Sequence, residues 1–599
     1  MLVLASHRIC CLTERRFPTA RWKRLATGKP PAVTDGIDRA ASSFVLVNLQ
    51  NPNQSRDRRS PSVPDSNRAP APNRGPGPAR GPASGPNRGP GPGANQGPAR
   101  DRSRDPHRDP NRDPNRDRAP APAFARPTAP APAPKIPAVP RELGWLPDCV
   151  YTGDKFESGL AFFVDAAGRI TRFSREPADL EMARRLPGQA ALPGLVNAHS
   201  HAWHRIFRGR FDLKPHADRD ALGNWRELHD KVLAKLSDED VYDAAREAFM
   251  EMLLAGITTV GECHFLHHQP DGTPLPEAGG IAHAVLRAAH DVGIRIALLN
   301  GASLRAGFGQ PVGSAAPRVL SASVEAFTRA TDLLFAHVEK NFPGDDVWVG
   351  VAPHSLGAVP IDALKAISAY AHAKRCRVHL QLGETAAEHT ACVAEYGRSP
   401  AALLAEHGLL DKRFTAIHGA HLSDDDIRVL GAARVTVCAC PASEMTAGEG
   451  AFSTAKFLAA GGVLALGTDG QQQTNLLDDV RLLEFQLRSD RKRPGAFAVD
   501  LAAALFQAAT VTGARSLGAP GGALEVGRPA DFFTVNVYDP SIVGAAPEGL
   551  LGAVVFAANP RAIREVWVGA RQRVSGWKHP LQSTVVGRFA DLQKKLWSS

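Results

Sequence analysis

Eight short apolar runs recur between residues 192 and 469, most of them followed by a stretch with helical spacing. They are LPGLVNAHSH (192–201), ITTVGECH (257–264), IRIALLN (294–300), VWVGVAPH (347–354), CRVHLQLGE (376–384), FTAIHGAH (414–421), VTVCACP (435–441) and VLALGTD (463–469). A strand-then-helix unit repeated eight times predicts a (β/α)8 barrel, whose chemistry sits at the C-terminal strand ends. One helix is explicit in SDEDVYDAAREAFMEMLLAG. Ser237 and Asp240 fit a capping box, the acidic first turn suits the helix dipole, and Gly256 fits the position past the last turn.

The barrel does not account for the whole chain. Residues 144–190 read as β, with FFVDAAGRITRF forming two short strands around a turn at Gly168. The same character returns in GGALEVGRPADFFTVN and IREVWVGARQRVSGW. These segments predict an α/β protein in which a small β-sandwich domain, formed by residues 144–191 and 513–580, flanks a barrel over 192–512. A C-terminal helix is expected over 581–599.

Residues 1–143, with runs such as GPNRGPGPGANQGPAR and RDPNRDPNRD, bury too little apolar surface to offset their chain entropy and are predicted to be a disordered tail. The tail holds 25 Lys and Arg against 11 Asp and Glu, leaving 46 against 50 for the remainder, so the chain's charge of +10 belongs to the tail. That charge is no argument for nucleic-acid binding by the folded part. The tail reads as a solvated linker, a polyanion tether, or the product of a start site placed too far upstream. Its first 30 residues have the Arg-rich, acid-poor balance of a transit peptide. No run approaches the roughly 18–20 apolar residues of a membrane span. The eight cysteines lack framework spacing and read as reduced thiols of a cytoplasmic protein. Alternation in VTVCACP predicts that Cys438 is buried and Cys440 faces the other way, or the reverse.

Residues i and i+2 of a strand share a face, so His199 and His201 offer two imidazoles to one point. Such a pair suits Zn²⁺ and related ions. Further polar residues close the later runs: His264, His354, Glu384, His418 and Asp469. Several such residues at the same end of successive strands are hard to explain as core packing, and they predict a metal-centred site.

The order LPG…NAHSH, GET, IHGAH and GTDG resembles the amidohydrolase superfamily of the single-metal kind. NWRELHDKVLAKLS, EMLLAGITTVGECHFLHH, AGFGQ, VAPHSL and LLDDVRLLEFQLR narrow the resemblance, over roughly residues 145–580, to formimidoylglutamate deiminases. The resemblance implies one divalent metal, Zn²⁺ by preference, held by His199, His201 and Asp469. It also implies release of ammonia from a small polar substrate by attack of metal-bound hydroxide on a C=N carbon. Glu384 would move a proton to the leaving nitrogen, His418 would orient the hydroxide or stabilise the intermediate, and Asp469 would take the water's proton. Arg226 would hold a substrate carboxylate, although a solvated helix-edge charge is its alternative. A homodimer is implied on the same ground.

The chain departs from that pattern at several points. The strand-five metal ligand, a histidine three residues before the glutamate, is Gln381 here, a neutral and weak ligand whose amide oxygen would have to serve. His379 lies on the same face one layer deeper and is the alternative ligand. On the substrate side Gly357 stands for an arginine, Phe265 for an aromatic hydroxyl, His204 for a glutamine at the substrate, and Gln471 for a histidine. Three outcomes stay open: a deiminase acting on formimidoylglutamate or a similar compound, a deaminase of a nucleobase-type ring, and a silent barrel kept for binding or scaffolding.

Overall fold

A computed structural model describes residues 142–210, 221–310, 317–492 and 500–598. The tail expected over residues 1–143 lies outside the described residues except for its last two positions. Five strands come first: β1 (Leu143–Tyr151), β2 (Phe156–Ser158), β3 (Ala161–Val164), β4 (Ile170–Ser174) and β5 (Arg184–Pro193). Eight more follow the predicted runs: β6 (Leu195–Ser200), β7 (Ile257–His264), β8 (Arg295–Ala302), β9 (Val347–Pro353), β10 (Val378–Leu382), β11 (Phe414–His418), β12 (Thr436–Ala439) and β13 (Val463–Leu466). The last are β14 (Phe532–Asn536), β15 (Ile563–Val568) and β16 (Arg571–Ser575), ahead of a final helix, Gln582–Trp597.

Strands β6 to β13 pair in sequence order, each parallel to the next. The barrel closes through the His199 carbonyl, which accepts the backbone N–H groups of Thr468 and Asp469 at 3.0 Å each, and through His201 N–H, which donates to the Asp469 carbonyl at 3.0 Å. The seam therefore joins the segments that carry three of the predicted metal ligands. Helices cover the outside, as parallel strands buried on both faces require. The helix Asp238–Leu254 starts at the capping box of Ser237 and Asp240 and ends two residues before Gly256, which has φ of 82°.

Strand parity assigns the interior. Val378, Leu380 and Leu382 of β10 pack with Leu364, Ile367 and Leu403 of the surrounding helices. Alternation then turns His379 and Gln381 towards the barrel axis. Ala198, Ile417, Cys438 and Ala465 form a small apolar layer inside, and Cys440 joins it. Both thiols are fully buried, which corrects the expectation of opposite faces: two residues apart along an extended run, they share one face. Deeper in the barrel, the helix Val511–Leu517 brings Ala514 and Leu517 against Val196, Cys263 and Leu299. Gly513 is needed there, because a Cβ would come within 2.9 Å of the Val196 carbonyl oxygen.

The flanking segments form one mixed eight-stranded sheet of order β16-β15-β14-β5-β1-β3-β4, with β2 on β1. It rolls on itself. Ala530 N–H donates to the Gly168 carbonyl at 2.8 Å and Gly527 N–H to the Ile170 carbonyl at 2.7 Å, tying the β3–β4 turn to the approach to β14. The roll encloses Trp145, Phe162, Phe532 and Trp567, whose rings lie 5.0–5.6 Å apart edge-on or stacked. The GGALEV stretch is not a strand; Gly522 and Gly527, at φ of 87° and 85°, turn the chain there instead. The apolar run PEGLLGAVVF between β14 and β15 is a helix, Pro547–Phe556.

Candidate metal centre

His199 and His201 leave β6 with their rings perpendicular and 5.0 Å apart. His199 Nε2 lies 3.1 Å and His201 Nε2 3.6 Å from Asp469 Oδ1. One donor atom from each of the three residues falls within 4.8 Å of the others, the spacing of ligands around one ion. The opposite edge of each ring is occupied. His201 Nδ1 donates to the Cys263 carbonyl at 3.1 Å, which leaves the Nε2 lone pair aimed at the cluster, and Cys263 Sγ lies 3.3 Å from His199 Nδ1. Burial, then the neighbouring His199, push His201 down to about 3, so it offers the neutral imidazole a metal needs. Burial works to raise Asp469, but the His199 hydrogen bond and then the charge of His418 hold it well below the usual carboxylate range. The residues present fit a divalent cation.

The loops around the centre are strained and braced. His418, Asp469 and Gln471 have φ of 72°, 46° and 58°, conformations that cost non-glycine residues on the order of 1–3 kcal/mol each and cluster at functional sites. Arg205 Nη1 donates to the carbonyls of Gln471 and Gln472 at 2.9 Å each, while its Nε pairs with Glu251 at 2.7 Å. Gln471 Nε2 donates to Ser200 Oγ at 2.9 Å and to Thr468 Oγ1 at 2.8 Å.

His418 ends β11 beside the centre, its ring 6.0 Å from that of His199. Burial works against its charge, but the Glu444 hydrogen bond and the charges of Asp469, Glu384 and Glu444 raise it to about 10. Its Nε2 is buried with no hydrogen-bond partner among the described residues. Glu384 follows Gly383, which turns the chain at φ of 66°. The charge of Glu384 helps raise both His418 and Glu388, so it lies within electrostatic reach of each. Gln381 faces the interior from β10 with a buried, unpartnered Oε1. His379 points its Nε2 at the Ser516 carbonyl 3.2 Å away, at the level of the plugging helix.

Of the substrate-side residues, His204 is buried and stacked on His201 at 4.8 Å. Burial, with His201 and His229 nearby, drives it well below the usual imidazole range. Arg226 sits on the helix Ala221–Leu233, with its side chain outside the described residues. Phe265 is half-buried, 5.8 Å from the His201 ring and 5.2 Å, edge-on, from the His354 ring. At Gly357 a Cβ would meet Phe308 at 3.0 Å, and Arg305 donates to the Gly357 carbonyl while pairing with Glu395.

Four residues escaped the sequence reading. Glu262 accepts Ser200 Oγ–H at 2.6 Å and Ala202 N–H at 2.7 Å, clamping both sides of His201. A glutamate inside the apolar run ITTVGECH was the available signal, since a buried charge needs partners. Ser443 Oγ donates to Asp469 Oδ2 at 2.5 Å, and Glu444 holds His418. Both open the helix Pro441–Ala447. Glu388 Oε2 accepts the Glu384 N–H at 3.0 Å. Burial and the Glu384 charge push Glu388 up to about 7.

Comparison with known proteins agrees with this geometry. The amidohydrolase family pattern matches residues 190–573. Formimidoylglutamate deiminase of Pseudomonas aeruginosa is 33% identical over 423 residues, covering 70% of this chain and 91% of that protein. A 5'-deoxyadenosine deaminase of Methanospirillum hungatei is 31% identical over 385 residues, 62% of this chain and 76% of that one. The crystal structure of an amidohydrolase from Brucella melitensis superposes with a TM-score of 0.69 at 27% identity, covering 76% of this chain and 99% of that one. The chain belongs to the amidohydrolase family. It is a metal-dependent hydrolase of non-peptide carbon–nitrogen bonds that acts on small molecules with a divalent cation.

Proposed function

We propose that this barrel is a deiminase that releases ammonia from formimidoyl-L-glutamate or a close analogue, with a single Zn²⁺ held by His199, His201, Asp469 and Gln381. The observation that carries the reading is the convergence of three ligand atoms within 4.8 Å, flanked by His418 and Glu384. When bound, the metal supplies an activated water. The protein's own groups do the rest. Asp469 keeps one oxygen on the histidines and the other on Ser443, which aligns its carboxylate as the acceptor for the water's proton. His418 presents a buried, charged Nε2–H to the negative charge carried by the heteroatoms around the attacked carbon. Glu384 carries a proton to the departing nitrogen. Arg226 binds the substrate's carboxylate, and His204 lines the same side.

One observation supports a second reading, deamination of a planar aminated ring. Phe265, without a hydroxyl, and His354 form an edge-to-face aromatic wall next to His201. The test is ammonia release from formimidoyl-L-glutamate, 5'-deoxyadenosine, guanine and cytosine by protein of measured metal content. Turnover of the formimino compound that disappears in Glu384→Gln supports the first reading. Turnover of a ring alone replaces it with the second, and none from any substrate by metal-loaded protein overturns both.

A further inference from the structure

The strand-five position carries an inference that rests on reading this site as a metal centre. Alternation along β10 turns Gln381 inward, opposite to Leu380 and Leu382, which pack against the outer helices. Gln381 is in register with Ile417 of β11, the residue before His418, and so stands next to the strand end that borders the centre. Its Oε1 is buried and accepts no hydrogen bond from any described residue. An amide oxygen is a strong acceptor, and a protein does not ordinarily bury one unpaired. His379 also buries an Nδ1 without a partner among the described residues, but it stands one layer deeper in the barrel. Its Nε2 is engaged by the Ser516 carbonyl at 3.2 Å, and its register partner Thr415 lies two residues further from the strand end than Ile417.

We infer that Gln381 gives its amide oxygen as the fourth protein ligand, making a centre of two imidazoles and two oxygens that separates Zn²⁺ from harder ions such as Mn²⁺ less sharply than three imidazoles and a carboxylate would. Imidazole favours Zn²⁺ over Mn²⁺, whereas a neutral oxygen donor suits the harder ion comparatively well. The exchange of nitrogen for oxygen therefore costs Zn²⁺ more affinity than it costs Mn²⁺.

The test uses the full chain as wild type, Gln381→His and Gln381→Ala. Each is stripped by dialysis against chelator and titrated separately with Zn²⁺ and Mn²⁺, with thermal unfolding of the stripped proteins as the folding control. Gln381→His is expected to tighten Zn²⁺ by about 10-fold or more, the scale on which ligand surroundings alter metal affinity. It should change Mn²⁺ less, so the ratio of the two affinities widens. Gln381→Ala should weaken both ions. X-ray absorption of the Zn²⁺ forms should count one more nitrogen ligand in Gln381→His than in wild type. If Gln381→Ala binds both ions as wild type does, or Gln381→His leaves the ratio unchanged, the inference is overturned while the metal centre stands. If wild type takes up neither ion at millimolar concentration, the metal centre and the inference fall together.

Discussion

His418 Nδ1 lies 3.4 Å from Glu444 Oε1, and the same oxygen accepts the Cys440 backbone N–H at 2.8 Å. Because backbone pins the carboxylate, Glu444 fixes which edge of the His418 ring faces the site and keeps a proton on the other edge. Glu444→Ala should therefore lower kcat by roughly 10²-fold, with a smaller effect on KM. Glu444→Gln keeps an acceptor oxygen without the charge and should fall between. The Glu444 bond is the largest influence raising His418. In Glu444→Gln the imidazolium should lose its proton at lower pH, and the alkaline limb of the kcat–pH profile should move down. A profile that stays in place would show that Glu444 only packs against His418.

Ser443 is the second handle on the centre. Its hydroxyl donates to Asp469 Oδ2 at 2.5 Å while Oδ1 faces the two histidines. Ser443→Ala frees the carboxylate to rotate at a residue already held at φ of 46°. We expect a 10–100-fold loss of metal affinity, read by competition with a chelator, and a parallel loss of kcat that excess metal restores only in part. Full restoration would mean that Ser443 serves metal retention alone.

The barrel was legible because eight apolar runs, seven of them closed by a polar residue, leave few other folds, and the ends of those runs carry His199, His201, His418 and Asp469. The candidate ligands were legible for the same reason: each is a type with coordination chemistry at a strand end. Residues acting through another residue were not. Ser443 and Glu444 sit on a short helix after β12, and nothing in the local pattern says which strand's residue they meet. Glu262 meets the HxH segment from the neighbouring strand β7 and Gln471 from across the barrel seam, contacts set by the pairing of the sheet and separated by 60 to 271 residues. The rolled sheet was foreseen as β, but its lost strand at GGALEV and its helix Pro547–Phe556 follow from tertiary packing. Glycine and small apolar residues permit both conformations there.

Glu262 makes stability depend on pH in a direction opposite to that of a salt-bridged carboxylate. It is fully buried, and burial raises it to about 8, against the hydrogen bonds from Ser200 and Ala202 that lower it. A raised carboxyl binds its proton more tightly in the folded protein than in the unfolded chain. Its contribution is complete below the unfolded value near 4.5 and declines as pH rises through about 8. Glu262→Gln should remove that decline. In denaturant titrations at pH 6 and pH 9, wild type should lose stability between the two relative to the variant. An equal pH slope in both proteins would show that Glu262 is ionised in the fold, with its charge satisfied by the two donors.

Arg295 and Asp531 join the barrel to the rolled sheet and are 2% and 1% exposed. Arg295 Nε donates to Asp531 Oδ2 at 2.7 Å, Asp531 Oδ1 accepts Gly569 N–H at 2.7 Å, and Asp345 and Asp346 close the guanidinium's other side. Removing one partner of a buried pair costs up to about 3–5 kcal/mol, a cost that the half-exposed Asp345 and Asp346 reduce here because they still pair with Arg295. Asp531→Ala should therefore unfold at markedly lower denaturant concentration. Replacing both residues with apolar groups, Arg295→Met with Asp531→Leu, should cost less than the single change, because no charge is then stranded. The Gly569 N–H still loses its acceptor, which sets a floor under the double variant's loss. If the double variant is as unstable as Asp531→Ala or worse, the junction depends on hydrogen-bond geometry that no apolar pair reproduces, and charge compensation is not what holds the two parts together.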